Sequence, residues 1–211
     1  MVPPVRPQLS DDWPAALEVG LAGTPIDGER RSGDLAVFAP YDGGALVAVI
    51  DGLGHGISAF DAAARAAEVL REHPSEPAQA LLERCHAALR RTRGAVMTLA
   101  WFDLAAETLE WTGVGNVEAR LLRAAAGVGA REASPVVLGG VIGFQLPKAV
   151  RTSTIGLHTG DAVAFATDGL SADFSAVLDP LVPAQAQAER MLSQHGKGTD
   201  DALAVVVRWR R

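Results

Sequence analysis

DLAVFAPYDGGALVAVIDGLGHG, Asp34 to Gly56, sets two apolar runs around the segment Pro40-Tyr41-Asp42-Gly43-Gly44. Apolar runs flanking an Asp-Gly signal read as a β-hairpin. A turn centred between Asp42 and Gly43 places Asp34 directly opposite Asp51 in the ladder. Opposed residues of an antiparallel pair have Cα atoms about 4.5–5.5 Å apart, and like charges there are destabilising. For two carboxylates about 4 Å apart, the repulsion is on the order of 4 kcal/mol at an effective dielectric of about 20. A cation or a proton is therefore expected between them. The second run ends in that acid followed by Gly52, Gly54 and Gly56. Glycines so placed mark either a tight turn or a close approach to a ligand.

Outward from the hairpin, ALEVGLAG reads as a preceding strand. Two helices are expected after it, the first with Ser58 as N-cap and Asp61 three residues on. Its apolar face would be Phe60, Ala63, Ala64, Ala67 and Leu70. In the second, Cys85 shares a stripe with Ala78, Leu81, Leu82, Ala88 and Leu89 and is expected in the core, while His86 falls off it toward solvent. Beyond Arg93, the runs AVMTLAWFDL, ETLEWTGV, NVEARLLR, PVVLGGVIG, VRTSTIGL and DAVAFATD are spaced like a meander, with Gly113 to Asn116 as a hairpin turn. Residues 124–132 read as an exposed loop, PAQAQAERMLSQHG as a third helix and ALAVVVRW as a closing strand. The class implied is α+β with mainly antiparallel sheets.

The chain has 211 residues, 48% hydrophobic and 21% charged, which suits one core. Residues 1–15 read as a flexible N-terminal tail and residues 16–211 as a single domain. A net charge of -6 argues against nucleic-acid and anionic-membrane partners. Apolar runs fall well short of the roughly 20 residues of a membrane helix. The Pro-rich, polar start is unlike a secretory signal, and Cys85 has no disulfide partner within the chain; both point to the cytoplasm.

The acid pattern recurs. AFATDGLS repeats VAVIDGLG, delivering Asp168, Gly169 and Leu170 at a strand end, and TDDALAVVV sets Asp200 and Asp201 at a strand start, as SGDLAVFA does Asp34. In antiparallel sheets a strand's start lies beside its neighbour's end, so Asp34, Asp51, Asp168 and Asp200 can gather on one edge. An all-oxygen set of this kind suits Mg²⁺ or Mn²⁺ rather than zinc.

SGD at 32–34, DGLGHG at 51–56, GVGN at 113–116, GDAVAFATDGL at 160–170 and TDDALAVVV at 199–207 resemble, in that order, the metal-dependent protein serine/threonine phosphatases of type 2C (the PPM family). Within the family the chain looks most like the small bacterial sporulation and stressosome branch, and is RsbX-like. The resemblance spans residues 16 to 209. It implies a four-layer α-β-β-α sandwich of two mainly antiparallel sheets flanked by helices, with two Mn²⁺ or Mg²⁺ ions at the sandwich edge. Carried over, Asp51 bridges both ions, Gly52 offers its carbonyl, and Asp168 and Asp200 complete the set. Asp34 contacts metal directly or through water. Asp201 and Gly169 stand behind these ligands. A metal-bridging water attacks phosphorus in the implied reaction.

Two departures stand out. Better-known members carry His where this chain has Leu53; His55, two residues on, is either the general acid or a loop residue. No arginine clearly matches the phosphate-binding arginine of the eukaryotic branch; Arg30 and Arg31 precede SGD. The resemblance implies a phosphorylated STAS-type regulatory protein as substrate, and a monomeric, stand-alone enzyme. A catalytically weak or inactive phosphoprotein-binding module on the same fold is the alternative. A kinase-like nucleotide site ranks last, because Leu53 occupies the first glycine position that its Asp-x-Gly-x-Gly box requires.

Overall fold

A computed structural model describes residues 6–124, 133–179 and 181–211. The loop expected at 124–132 lies, except for Ala124, outside the described residues, as does the first part of the expected tail. The hairpin forms as β2 (Asp34–Tyr41) and β3 (Gly44–Gly52), following β1 (Leu17–Thr24). Next come α1 (Ile57–Glu72), α2 (Ala78–Leu89), β4 (Ala95–Asp103), β5 (Thr108–Val114), β6 (Glu118–Leu122), β7 (Val136–Leu138), β8 (Ser153–Gly156) and β9 (Ala162–Ala166). The third helix α3 (Ala184–His195) and β10 (Ala202–Trp209) complete the order. One sheet runs β1-β10-β9-β6; the other runs β2-β3-β4-β5-β7, with β8 also on β5.

Period-two alternation builds the layers, because successive strand side chains point to opposite faces. In β3, Ala45, Val47 and Val49 enter the core between the sheets, while Leu46, Ala48 and Ile50 meet α1 and α2. In β10, Leu203, Val205, Val207 and Trp209 face the inter-sheet core, and Ala202, Ala204 and Val206 face α3. Strands covered on both faces read as continuous apolar runs, as these do. The result is the expected four-layer α-β-β-α sandwich.

Several local expectations give way to tertiary packing. The six runs after Arg93 are no meander: β6 crosses to the first sheet and pairs with β9, and β7 pairs parallel with β5. Gly113 to Asn116 is thus a crossover between sheets, not a hairpin turn. Ala119 and Leu121 enter the inter-sheet core from the far side, and Thr98 Oγ1 donates to the Val117 carbonyl at 2.6 Å across the gap. Helix α1 starts at Ile57 with Gly56 as N-cap and no side-chain cap, so Ser58 does not cap it. Its buried face is Ala59, Ala62, Ala63, Ala66, Ala67 and Leu70. Alanines let the helix lie close on β2 and β3, and Phe60 turns aside under the Arg31 guanidinium, 4.6 Å from the ring centroid.

Cys85 is fully buried, as expected, and burial pushes its thiol up to about 12. His86 is half-buried rather than free in solvent: its Nδ1 accepts from the Gly143 N–H at 3.1 Å, tying the turn after β7 to α2. Trp13 packs edge-on against Phe38, ring centroids 5.8 Å apart, so this part of the N-terminal segment is held against the sandwich.

Candidate metal centre

The alternation that fills the inter-sheet core also delivers the acids. Asp34 pairs with Asp51 in the β2–β3 register. Asp51 continues the inward series Ala45, Val47, Val49, and Asp34 that of Ala36 and Phe38. From the other sheet, Thr167 continues Val163 and Phe165, and Asp201 precedes Leu203 at the same parity. Four inward positions therefore meet where the apolar core ends. Asp168 and Asp200 follow and precede strands at the same edge.

Asp34 is buried, and its Oδ2 accepts from Thr167 Oγ1 at 2.7 Å. Thr167 Oγ1 in turn accepts from the Leu203 N–H at 2.9 Å, so one hydroxyl ties both strands of one sheet to the acid of the other. Burial, then the charge of Asp51, pushes the Asp34 carboxyl from 3.8 up to about 8, against the lowering effect of the Thr167 hydrogen bond. Burial, then the charges of Asp168, Asp200 and Asp201, pushes Asp51 from 3.8 up to about 7. The fold thus concentrates negative charge that only protons or cations can offset.

The three remaining aspartates do different work, and Asp200 turns Oδ1 back to accept from the Asp201 N–H at 2.8 Å. Asp201 is fully committed to the backbone: Oδ1 accepts from the Ile26 N–H at 2.8 Å and Oδ2 from the Gly33 N–H at 2.7 Å. It anchors the segment leading into Asp34 rather than facing a ligand. Asp168 is exposed, and its Oδ2 accepts from Asn116 Nδ2 at 2.9 Å. Lys197 Nζ donates to the Asp168 carbonyl at 2.7 Å. Thr167, Asn116 and Lys197 were not among the expected site residues. Asn116 had a signal in its place in GVGN and Thr167 one in the inward parity of β9, whereas Lys197 had none.

The twin Asp-Gly-Leu segments need their glycines for contact. A Cβ on Gly52 would run into the Ala59 carbonyl, so α1 could not seat on β3; one on Gly169 would run into the Asp201 carbonyl. Gly169 thereby lets Asp168 and Asp201 approach. The His55 side chain is 60% exposed on the loop that follows Asp51, with Nδ1 3.1 Å from Glu29 Oε1.

The donor set fits a hard divalent cation. It is all oxygen, it is electrostatically unsatisfied, and Asp34 Oδ1, Asp51 and Asp200 stand at one edge. Among the described residues no three His, Cys, Asp or Glu side chains form a ready cage around a single ion.

The sequence profile of the Stage II sporulation protein E (SpoIIE) family matches residues 41–210. The phosphoserine phosphatase RsbX of Bacillus subtilis (strain 168) is 26% identical over 145 residues, 69% of this chain and 70% of its own. A chain from a bacterial stressosome system adapted to control secondary messenger signaling superposes with a TM-score of 0.82 at 26% identity, covering 91% of this chain and 99% of its own. RsbX in complex with magnesium superposes at 0.78 with 22% identity, covering 91% of this chain and 94% of its own, and shows the shared fold.

Proposed function

The chain belongs to the SpoIIE family, and from that premise we propose that it is a metal-dependent protein phosphatase. Its substrate is a phosphoserine or phosphothreonine on a STAS-type regulatory protein of a stressosome or partner-switching system. The observation that carries this reading is the opposition of Asp34 and Asp51 across the hairpin, with Asp168 and Asp200 at the same edge. Two Mg²⁺ or Mn²⁺ ions would be held by Asp34, Asp51, the Gly52 carbonyl, Asp168 and Asp200. Such ions supply a nucleophile at neutral pH and offset charge on the phosphoryl oxygens.

The chain's own residues prepare that chemistry. Thr167 fixes the Asp34 carboxylate and spends one of its oxygens, leaving Oδ1 for a cation. Asn116 does the same for Asp168, and Asp201 pins the approach to β2. The phosphomonoester enters from the open side of the edge, since the other side is closed by apolar core. His55 is the candidate proton donor to the leaving oxygen, its imidazole oriented by Glu29. The RsbX and stressosome relatives support a regulatory phosphoprotein as partner. None of the described helices is long and apolar enough to cross a membrane.

The deciding assay is hydrolysis of a phosphoserine protein with Mn²⁺ or Mg²⁺, with and without chelator, for the wild type and Asp51→Asn. Turnover should vanish with chelator and fall by at least about a hundredfold in the variant. Activity that survives chelation or the substitution refutes the mechanism. Metal binding without turnover would instead identify a capture module.

A further inference from the structure

A groove of about 690 Å³ runs along α1 from Ser58 to Glu68, closed on its other side by Arg91–Arg93 before β4 and by Phe144 of the turn after β7. Its position is set by the Asp51 loop. The Leu53 N–H donates to the Gly94 carbonyl at 3.0 Å, so residues 93–95 lie along Asp51-Gly52-Leu53. Arg93 Nη1 stands 2.5 Å from where a Cβ on Gly54 would be, so its guanidinium covers the loop. Arg91 and Arg65 line the same groove. Among the described residues, none of these three guanidinium groups has a hydrogen bond or ion pair. The groove also holds Asp61 and Glu68 on α1, the helix that carries Arg65, and Glu29 stands against Gly56 of the adjoining loop; Arg91 and Arg93 come from the segment before β4, which has no acid of its own.

Two large apolar side chains flank the arginines. Phe144 lines the groove 68% exposed, and Ile57, next to the lining residue Ser58, is 69% exposed. Phe144 is no loose tip: the Gly143 N–H bond to His86 and the Phe144 N–H bond to the Val141 carbonyl hold its turn. Free cations and exposed apolar groups on a chain of net charge -6 are a surface complementary to an acidic, partly apolar strand of another protein. Three residues of extended chain separate Arg93 from the partner of Asp51, about 10 Å at 3.3 Å per residue. That is the reach of a few residues flanking a phosphoserine held at the metal edge.

We propose that this groove binds the segment of the phosphoprotein substrate next to its phosphoserine and selects acidic and apolar residues there, through Arg91, Arg93, Arg65, Phe144 and Ile57. The identity of the occupant rests on the phosphatase reading; the charge preference of the groove does not.

The test uses the full chain and two fluorescent phosphoserine peptides, one with Asp, Glu and Leu flanks and one with Lys flanks, in binding by anisotropy and in turnover with Mn²⁺. The acidic peptide should bind better, and Arg91→Glu combined with Arg65→Glu should weaken it about tenfold, as the sum of exposed-pair energies allows. Phe144→Ala should weaken it a few fold, whereas Arg190→Glu on α3 should leave it at the wild-type value. Equal binding of both peptides, or unchanged affinity in the double variant with an unchanged melting temperature, overturns the proposal. So does full displacement of the acidic peptide by inorganic phosphate, which would show a phosphate site only. Failure of the wild type to hydrolyse p-nitrophenyl phosphate with Mn²⁺ would count against the phosphatase reading, while the anisotropy would still decide the groove.

Discussion

Replacing Asp34 by Asn should stabilise the metal-free protein while abolishing its response to metal. In the folded chain the Asp34 carboxyl is pushed from 3.8 to about 8, first by burial and then by Asp51. An acid whose folded pKa is raised binds its proton more tightly folded than unfolded. Its contribution is therefore fully present below the unfolded value and is lost as pH climbs toward the folded one. At about 1.36 kcal/mol per pH unit, the loss relative to low pH reaches about 5 kcal/mol at about pH 7.5 and about 2 kcal/mol at about pH 5.5. These are ceilings, because Asp34 and Asp51 share one electrostatic cost. Asn cannot ionise, and its carbonyl oxygen can still accept from Thr167 Oγ1. If half of each ceiling survives, a chain of this size gains about 5–10 °C in Tm at about pH 7.5 and less than half of that at about pH 5.5. Thermal unfolding by circular dichroism in chelator at both pH values reads this directly. Added Mg²⁺ should then raise the Tm of the wild type and not that of the variant. A lower Tm for the variant at the higher pH, or an equal gain at both, would refute the electrostatic account of the site.

Two further substitutions separate ligands from their supports. Thr167→Val removes the hydroxyl that fixes Asp34 and should cut apparent metal affinity by about tenfold, read by titrating Mn²⁺ in the phosphatase assay; an unchanged titration would show that Asp34 is placed by its strand alone. Asp201→Asn loses one of two charge-assisted bonds to the Ile26 and Gly33 N–H groups and should cost about 2 kcal/mol in urea unfolding at neutral pH. A loss of metal affinity without loss of stability would instead make Asp201 a ligand.

The hairpin was legible because its register is a local property: Asp42-Gly43 closes the turn, and counting back along both strands opposes Asp34 and Asp51. The repeated Asp-Gly-Leu and the strand-initial Asp200 and Asp201 were legible for the same reason, since each is a strand end marked by its neighbours. What the pattern withheld was which sheet a strand joins. NVEARLLR alternates identically whether β6 lies beside β5 or crosses to β9, and only the packing of Ala119 and Leu121 in the shared core decides it. The contacts that cross between sheets or loops, Thr167 to Asp34 and Asn116 to Asp168, were hidden with it. The helix starts one residue before Ser58 for a related reason. Ser58 offers a local cap, but the close seat of Ala59 on Gly52 requires the helix to begin at Ile57.

That seat suggests why core and site are inseparable here. Asp51 and Gly52 are consecutive, and their roles are opposite in sign. Gly52 brings α1 against the sheet and adds to the core, while Asp51, facing the other way, puts an ion-seeking charge where the inter-sheet core ends. The second Asp-Gly-Leu repeats the division: Gly169 closes on the Asp201 backbone, and Asp168 is left outward, bonded by Asn116 and Lys197. Moving either acid by one residue would turn it away from the edge and put a glycine in its place. The charge cost of the site is therefore borne by the rigidity of the packed glycines behind it. On this argument, loosening the Gly52–Ala59 contact should spread the acids and lower metal affinity even with every carboxylate retained.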